Sequence, residues 1–191
     1  GFSRRLFRSG DGTSRVVVSG CGNTPIAGVS TGTNNAFPEL REPTITGLAV
    51  GLAVTGQVPS EHAFSLNKRL EVTVNDKREI ALVDVAVVSE RFIGARAIWK
   101  TENFRDLFVT FGLPDGIGMS SIVGLLAPLD RDTPEGRRIR FLPVERANIR
   151  LSAPIAPGRS EERRVRESEV IHPKTIYMSS LSARPLPFVG R

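Results

Sequence analysis

The chain has 191 residues, of which 40% are hydrophobic and 24% charged. That is enough apolar content for one ordinary domain or two small ones, and too little bias for a disordered, collagenous or coiled-coil chain. The near-apolar run Ile45 to Val54 falls short of the roughly 18 residues that span a bilayer, so no membrane partner is expected. A single cysteine, Cys21, excludes an internal disulfide framework and suits a reducing compartment. The opening Gly-Phe-Ser-Arg-Arg leads into no apolar core and does not read as a secretory signal. The expected location is cytoplasmic.

The formal net charge of +6 sits at the ends: residues 1–15 carry four Arg and one Asp, and residues 159–191 carry seven Lys or Arg and four Glu. Residues 16–158 hold 15 basic and 15 acidic side chains, so the body of the chain is electrically balanced. Basic ends on a balanced body argue against a nucleic-acid partner. Trp99 and Tyr177 are single aromatics that make no stacking series, which argues the same way.

In chain order, Thr13 is placed to cap a short helix reaching about Ser19, although Val16, Val17 and Val18 favour a strand by propensity. Pro25 to Ser30 reads as a short buried strand that runs into the polar loop Thr31 to Asn35. Pro43 then opens an amphipathic helix with Ile45, Leu48, Ala49, Leu52 and Ala53 on one face, stopped by Gly56. A composition change at Gln57 to Glu61 marks a boundary, and strands dominate beyond it.

Leu70, Val72 and Val74 alternate, Asn75-Asp76-Lys77 turns, and Ile80 to Val88 returns as one apolar strand, which together predict a hairpin. Thr101 is placed to cap a helix carrying Phe104, Leu107, Phe108 and Phe111 as a core stripe and ending at Gly112. Further strands are expected at Gly116–Leu126, Arg138–Pro143 and Ala147–Ala153, with a loop from Asp130 to Gly136. The organisation expected is a partial α/β unit over residues 1–60, a β-rich domain over 61–158 and a solvated or non-native basic tail over 159–191.

Two short motifs carry chemistry. Gly10-Asp11-Gly12-Thr13 offers glycines that let the backbone approach an anion, free N–H groups at a helix start, a hydroxyl and a carboxylate. Asp11 in that setting can orient or deprotonate an attacking hydroxyl or help hold magnesium. A tight Asp-Gly turn is the competing reading. Thr31-Gly32-Thr33-Asn34-Asn35 follows a predicted strand and so falls at a carboxyl end, where open α/β sheets bind ligands. An Asx turn before Pro38 is its competitor. His62 and His172 lie far apart with no ligand spacing around them, and Cys21 has no basic partner in sequence, so neither zinc nor a catalytic thiol is expected.

Gly10-Asp11-Gly12-Thr13, Gly28 to Pro38, Arg41-Glu42-Pro43-Thr44 and Gly47-Leu48-Ala49 together resemble the ATP-NAD kinase family, in particular its acetoin-catabolism X-type (AcoX-like) branch, over roughly residues 9–158. The resemblance implies a Rossmann-like α/β half, here truncated, followed by a mostly-β domain, which is the NAD kinase-like two-domain architecture. It implies that Asp11 acts on the 2′-hydroxyl of the adenosine ribose of NAD, and that Gly10, Gly12 and Thr13 line the phosphate loop. It further implies that Thr31, Gly32, Thr33, Asn34 and Asn35 contact nucleotide, and that Asp84 helps hold the dinucleotide. Gly116 to Ser121 falls near a Gly-Ser/Thr-rich segment of the family's second domain.

The implied reaction is γ-phosphoryl transfer from ATP to NAD with Mg2+, so the implied partners are small-molecule nucleotides. The family's habit of assembling through its second domain is compatible with a homo-oligomer. Ser9 stands where the signature has its first glycine and Val83 where the Asn-Glu pair has its amide. The family's first strand and helix would precede residue 9, where Phe2 to Arg8 stand instead, so a chain opening inside the α/β domain is expected. A lipid kinase of the diacylglycerol type, whose Gly-Thr-Gly-Asn-Asp loop Gly32 to Asn35 also resembles, and a non-catalytic nucleotide-binding protein remain alternatives.

Overall fold

The computed structural model describes residues 5–9, 11–32, 35–74, 76–89, 103–142, 144–156, 158–165, 169–171, 176–178 and 188–190. The chain divides into two compact units, Gly1–Asn67 and Lys68–Arg191.

In the first unit, β1 (Arg5–Ser9) and β2 (Ile26–Ser30) pair in parallel from Arg5 opposite Ile26 to Ser9 opposite Ser30, with α1 (Asp11–Gly20) between them. Parallel neighbours require a crossover, and α1 supplies it. Two expectations change here. A strand does precede residue 10, because its backbone pairs with β2, and the lack of an apolar run in Phe2 to Arg8 does not prevent that. The helix starts at Asp11 and not after Thr13, and it carries Val16, Val17 and Val18 against their strand preference because the βαβ geometry outweighs local propensity.

The helix α2 (Pro43–Val54) has clear ends. The Glu42 side chain accepts a 2.7 Å bond from the Ile45 N–H, Pro43 occupies the first turn, and Gly56 with φ +73° follows the last. The Thr44 and Ile45 N–H groups hold the Glu42 carboxyl below its usual pKa. The expected amphipathic character is absent, since apolar residues run round the whole circumference and no α2 residue is buried. Ile45 is 64% and Leu48 60% exposed. A four-residue helix, α3 (Ser60–Ala63), closes the unit.

The second unit opens with the hairpin β3 (Leu70–Val74) and β4 (Lys77–Ala81), paired from Leu70 opposite Ala81 to Val74 opposite Lys77. The predicted return strand Ile80–Val88 is in fact broken at Leu82–Val83. Beyond the break, β5 (Asp84–Val88) joins a different sheet. Thr110 ties the break, its Oγ1 donating to the Leu82 carbonyl at 2.6 Å and its N–H to that of Val83 at 2.9 Å.

Here β5 pairs antiparallel with β6 (Phe104–Val109), and β6 with β7 (Gly136–Arg140). The short strands β10 (Glu169–Ile171) and β12 (Phe188–Gly190) complete this sheet in the order β10-β7-β6-β5-β12. The segment β11 (Ile176–Met178) lies parallel to β3. A separate antiparallel pair is formed by β8 (Ile149–Ala156) and β9 (Arg159–Val165).

Strand β5 is buried throughout, and its side chains divide between two clusters. Ala86 and Val88 join Leu107, Val109, Ile139, Ala153, Ile155 and Val165. Val85 and Val87 join Leu70, Val72, Ala81 and Phe108. The sheet is therefore covered on both faces.

The predicted helix over Phe104 to Phe111 is β6. Its Thr101 cap lies outside the described residues. The register runs from Val87 opposite Asp106 to Val88 opposite Phe104, which leaves Arg105 without a partner in β5. That bulge brings Phe104 into the same cluster as Leu107, so a strand acquires the three-residue spacing of a helix face. The stripe is core, as expected, although by another secondary structure.

The predicted strand Gly116–Leu126 is a turn at Gly118 (φ +93°) and a helix, α4 (Ser121–Leu126). Helical spacing lets Ile122, Val123 and Leu126 reach one cluster, which an extended chain would not.

Residues 159–165, read as a solvated tail, form β9. Val165 lies in the core, and buried Arg163 sets its guanidinium carbon 5.2 Å from the Phe104 ring centroid. The loop expected from Asp130 is fastened by Lys68, whose Nζ donates to the Asp130 carbonyl at 2.7 Å and the Glu135 carbonyl at 3.0 Å. A Cβ on Gly124 would overlap the Leu113 carbonyl oxygen. Gly124→Ala is therefore expected to cost about 1–3 kcal/mol by overpacking, read as a lower urea midpoint, and an unchanged midpoint would show that α4 can move aside.

Candidate functional site

The site grows from the end of β1 and the end of β2, which lie side by side because the strands are parallel and in register at Ser9 and Ser30. The chain leaves β1 into the first turn of α1, where Asp11, Gly12 and Thr13 are the first three helical residues. The leading N–H groups of a helix have no partner within it. Leaving β2, the chain enters the segment that contains Thr31 and Gly32. Gly10, Thr33 and Asn34 lie outside the described residues.

The two motifs meet at Asp11. Its Oδ1 accepts from the Phe37 N–H at 2.9 Å and the Ala36 N–H at 3.2 Å, and its Oδ2 accepts from the Ala36 N–H at 3.0 Å. Asp11 is only 7% exposed. Across the loop, Asn35 Nδ2 donates to Ser30 Oγ at 2.9 Å, and that hydroxyl donates to the Gly32 carbonyl at 3.1 Å. The Ser30 N–H donates to the Glu39 carbonyl at 3.2 Å and closes the loop at its base.

The structure thus brings Asp11 together with Ala36 and Phe37, next in sequence to Asn35. Gly12, Thr13, Thr31 and Gly32 are exposed beside these bonds, and Asn35 is half-buried. Asp84 is buried at the head of β5, in the second unit. Sequence reasoning missed Ser30 and the backbone of Ala36 and Phe37. A main-chain N–H is anonymous in sequence, and the hydroxyl before the loop was the one visible signal.

Two readings of lesser residues also have their outcome. Cys21 is a free, half-buried thiol whose Sγ lies near the Val18 and Gly22 carbonyls, and His62 lies in α3. His172, Trp99 and the Tyr177 side chain are outside the description. Among the described residues no group of three or more His, Cys, Asp or Glu is placed to hold a metal, and no helix is long and apolar enough to cross a membrane. A cleft of about 430 Å³ opens elsewhere in the first unit, between Ile26 on β2, Ile45, Ala49 and Ala53 on α2, and Phe64. Arg41, Glu42 and Ala49 of the motifs that carry the resemblance line it, whereas none of the residues expected to act in catalysis or nucleotide binding does.

Comparison with known proteins adds the following. The family model for the acetoin catabolism protein X C-terminal domain matches residues 68–185, a span that includes β9 and residues beyond it. The acetoin catabolism protein X of Cupriavidus necator is 49% identical over 163 residues, which is 83% of this chain and 45% of that protein. The chain therefore spans less than half the length of that relative. No solved structure matches.

Gly12 gives this site a direct test. A Cβ there would meet no protein atom within 4 Å, so the fold itself does not demand glycine at this helical position. Gly12→Ala is expected to leave stability unchanged or raise it by up to about 1 kcal/mol, measured by urea unfolding, and a loss of stability would show that the packing requires the glycine.

Proposed function

The chain belongs to the acetoin catabolism protein X C-terminal domain family, and from that premise we propose that it is part of a nucleotide kinase that transfers the γ-phosphoryl group of ATP to the 2′-hydroxyl of NAD, giving NADP. The observation that carries the reading is the junction at Asp11, where a carboxylate in the first turn of a helix is bonded to the backbone N–H groups of Ala36 and Phe37, directly after the Thr31–Asn35 segment in sequence.

In this reading the 2′-hydroxyl of the ribose gives its proton to Asp11 as its oxygen bonds to the γ-phosphorus. The bond from that phosphorus to the bridging oxygen breaks, and ADP leaves. The two backbone donors fix the carboxylate without saturating it, since a carboxylate has about four lone-pair sites. The N–H groups at Gly12 and Thr13 face the phosphates, and the loop of Thr31, Gly32, Thr33, Asn34 and Asn35 contacts the nucleotide.

Magnesium takes few protein carboxylates and keeps phosphate and water oxygens, so Asp11 fits it as one ligand. When bound, the ion would neutralise the phosphate oxygens. We place the reaction in the cytoplasm and in acetoin catabolism, the setting named by the relative, and in a homo-oligomer.

A second reading has its own observation. Val83, standing where the family carries an amide, is fully buried and offers a dinucleotide no polar group. That favours nucleotide binding without turnover of NAD, or a lipid acceptor. A coupled assay for NADP formation from ATP, magnesium and NAD, on this chain and on the full-length Cupriavidus relative, tests both. Turnover is expected, and the Asp-to-Asn change at the position of Asp11 is expected to lower it by about 10²–10⁴-fold. ADP binding without turnover would favour the second reading, and neither binding nor turnover would overturn both.

A further inference from the structure

We propose that Asp11 is, besides its assigned part in phosphoryl transfer, the positioning residue of the chain that follows the second loop, holding it in place through Ala36 and Phe37. The geometry behind this is independent of any activity. Asp11 and its two donors are far apart in the chain, and both N–H groups converge on one carboxylate at 2.9–3.2 Å. Charge-assisted bonds of this kind are the stronger class.

Burial supports the same assignment. From α1 onward, the buried positions among the first unit's described residues are Asp11, Ser14, Val29, Ser30 and Pro38. This set is the carboxylate, its helix, the end of β2 and the loop's return. In this unit the chain has turned a polar junction inward, while α2 leaves its apolar residues outside.

A carboxylate with little access to water must be compensated by hydrogen bonds, and Ala36 and Phe37 supply them. The second latch, Asn35 to Ser30 and Ser30 to Gly32, fixes the other flank of the loop. A Cβ at position 32 would stand 2.9 Å from Asn35 Nδ2, so a side chain there would have to move the amide that bonds Ser30. Loop and helix start therefore act as one element, and removal of the carboxylate releases the loop as well as a proton acceptor.

The nucleotide part of this inference rests on the function proposed above, whereas the latch itself does not. The test is residue-resolved amide exchange on the whole chain, with ADP binding measured alongside, for wild type, Asp11→Asn and Asp11→Ala. In Asp11→Ala, exchange at Ala36 and Phe37 is expected to accelerate about tenfold or more while the β3–β4 hairpin amides stay unchanged. Asp11→Asn, which keeps one carbonyl oxygen, is expected to fall between, and ADP affinity to fall in the same order.

If Asp11→Ala unfolds the first unit, Asp11→Asn still decides, since it is expected to accelerate Ala36 and Phe37 ahead of the β2 amides. Unchanged exchange at Ala36 and Phe37 in a folded variant overturns the latch, whatever happens to ADP. Wild-type protein that fails to bind ADP overturns the nucleotide reading and leaves exchange alone to judge the latch. Where NADP turnover is measurable, a released loop raises KM as well as lowering kcat, whereas loss of a proton acceptor alone lowers kcat.

Discussion

The second unit depends on one constraint, the burial of β5 from both sides. A strand that must present Ala86 and Val88 to one cluster and Val85 and Val87 to the other needs cover on each face. The rest of the unit supplies it: β3 and β4 on one side, and β8, β9 and α4 on the other. Continuous apolar runs are the mark of such two-faced strands. On β7, Arg138 and Arg140 flank Ile139 and point away from its cluster, and both reach Asp106 on β6, at 2.8 and 3.8 Å. The carboxylate and the two guanidiniums thus pair with one another on the inner strands of the sheet.

The first unit is organised on the opposite principle. A carboxylate is among its buried groups, and its most apolar helix has no buried residue. Parallel strands bring the ends of β1 and β2 to one edge, and the segments leaving them are joined across that edge by backbone donors. What the sequence displayed as two separate Gly/Thr motifs is one structural object, and Asp11 belongs to both halves of it.

The legibility of each element follows from where its information resides. The ends of α2 were readable because Pro43 and Gly56 act through their own φ angles and need no neighbours. The strand Ile26–Ser30 and the loop after it were readable from local contrast. The segment Phe104 to Val109 misled because the bulge at Arg105 imitates helical spacing, and a bulge is a property of a strand pair that one strand cannot display. The Ile80–Val88 run hid a sheet change, since Leu82 and Val83 are as apolar as the strands they separate. Asp11 and the two loops could be picked out by residue type. Ala36 and Phe37 could not, because they contribute only main chain. The all-round apolar surface of α2 was legible in its composition, but a helical face was read into it that the structure does not bury.

That exposed helix bears on how the first unit holds its order. With none of its residues buried, α2 contributes little apolar burial to offset the entropy of fixing its own backbone. Any molecule that binds the folded form alone adds its binding free energy to the folding of that form. Occupancy of the Asp11 edge and order in the chain around it are then linked thermodynamically, so that affinity measured at that edge is also a measure of how much of that chain was already in place.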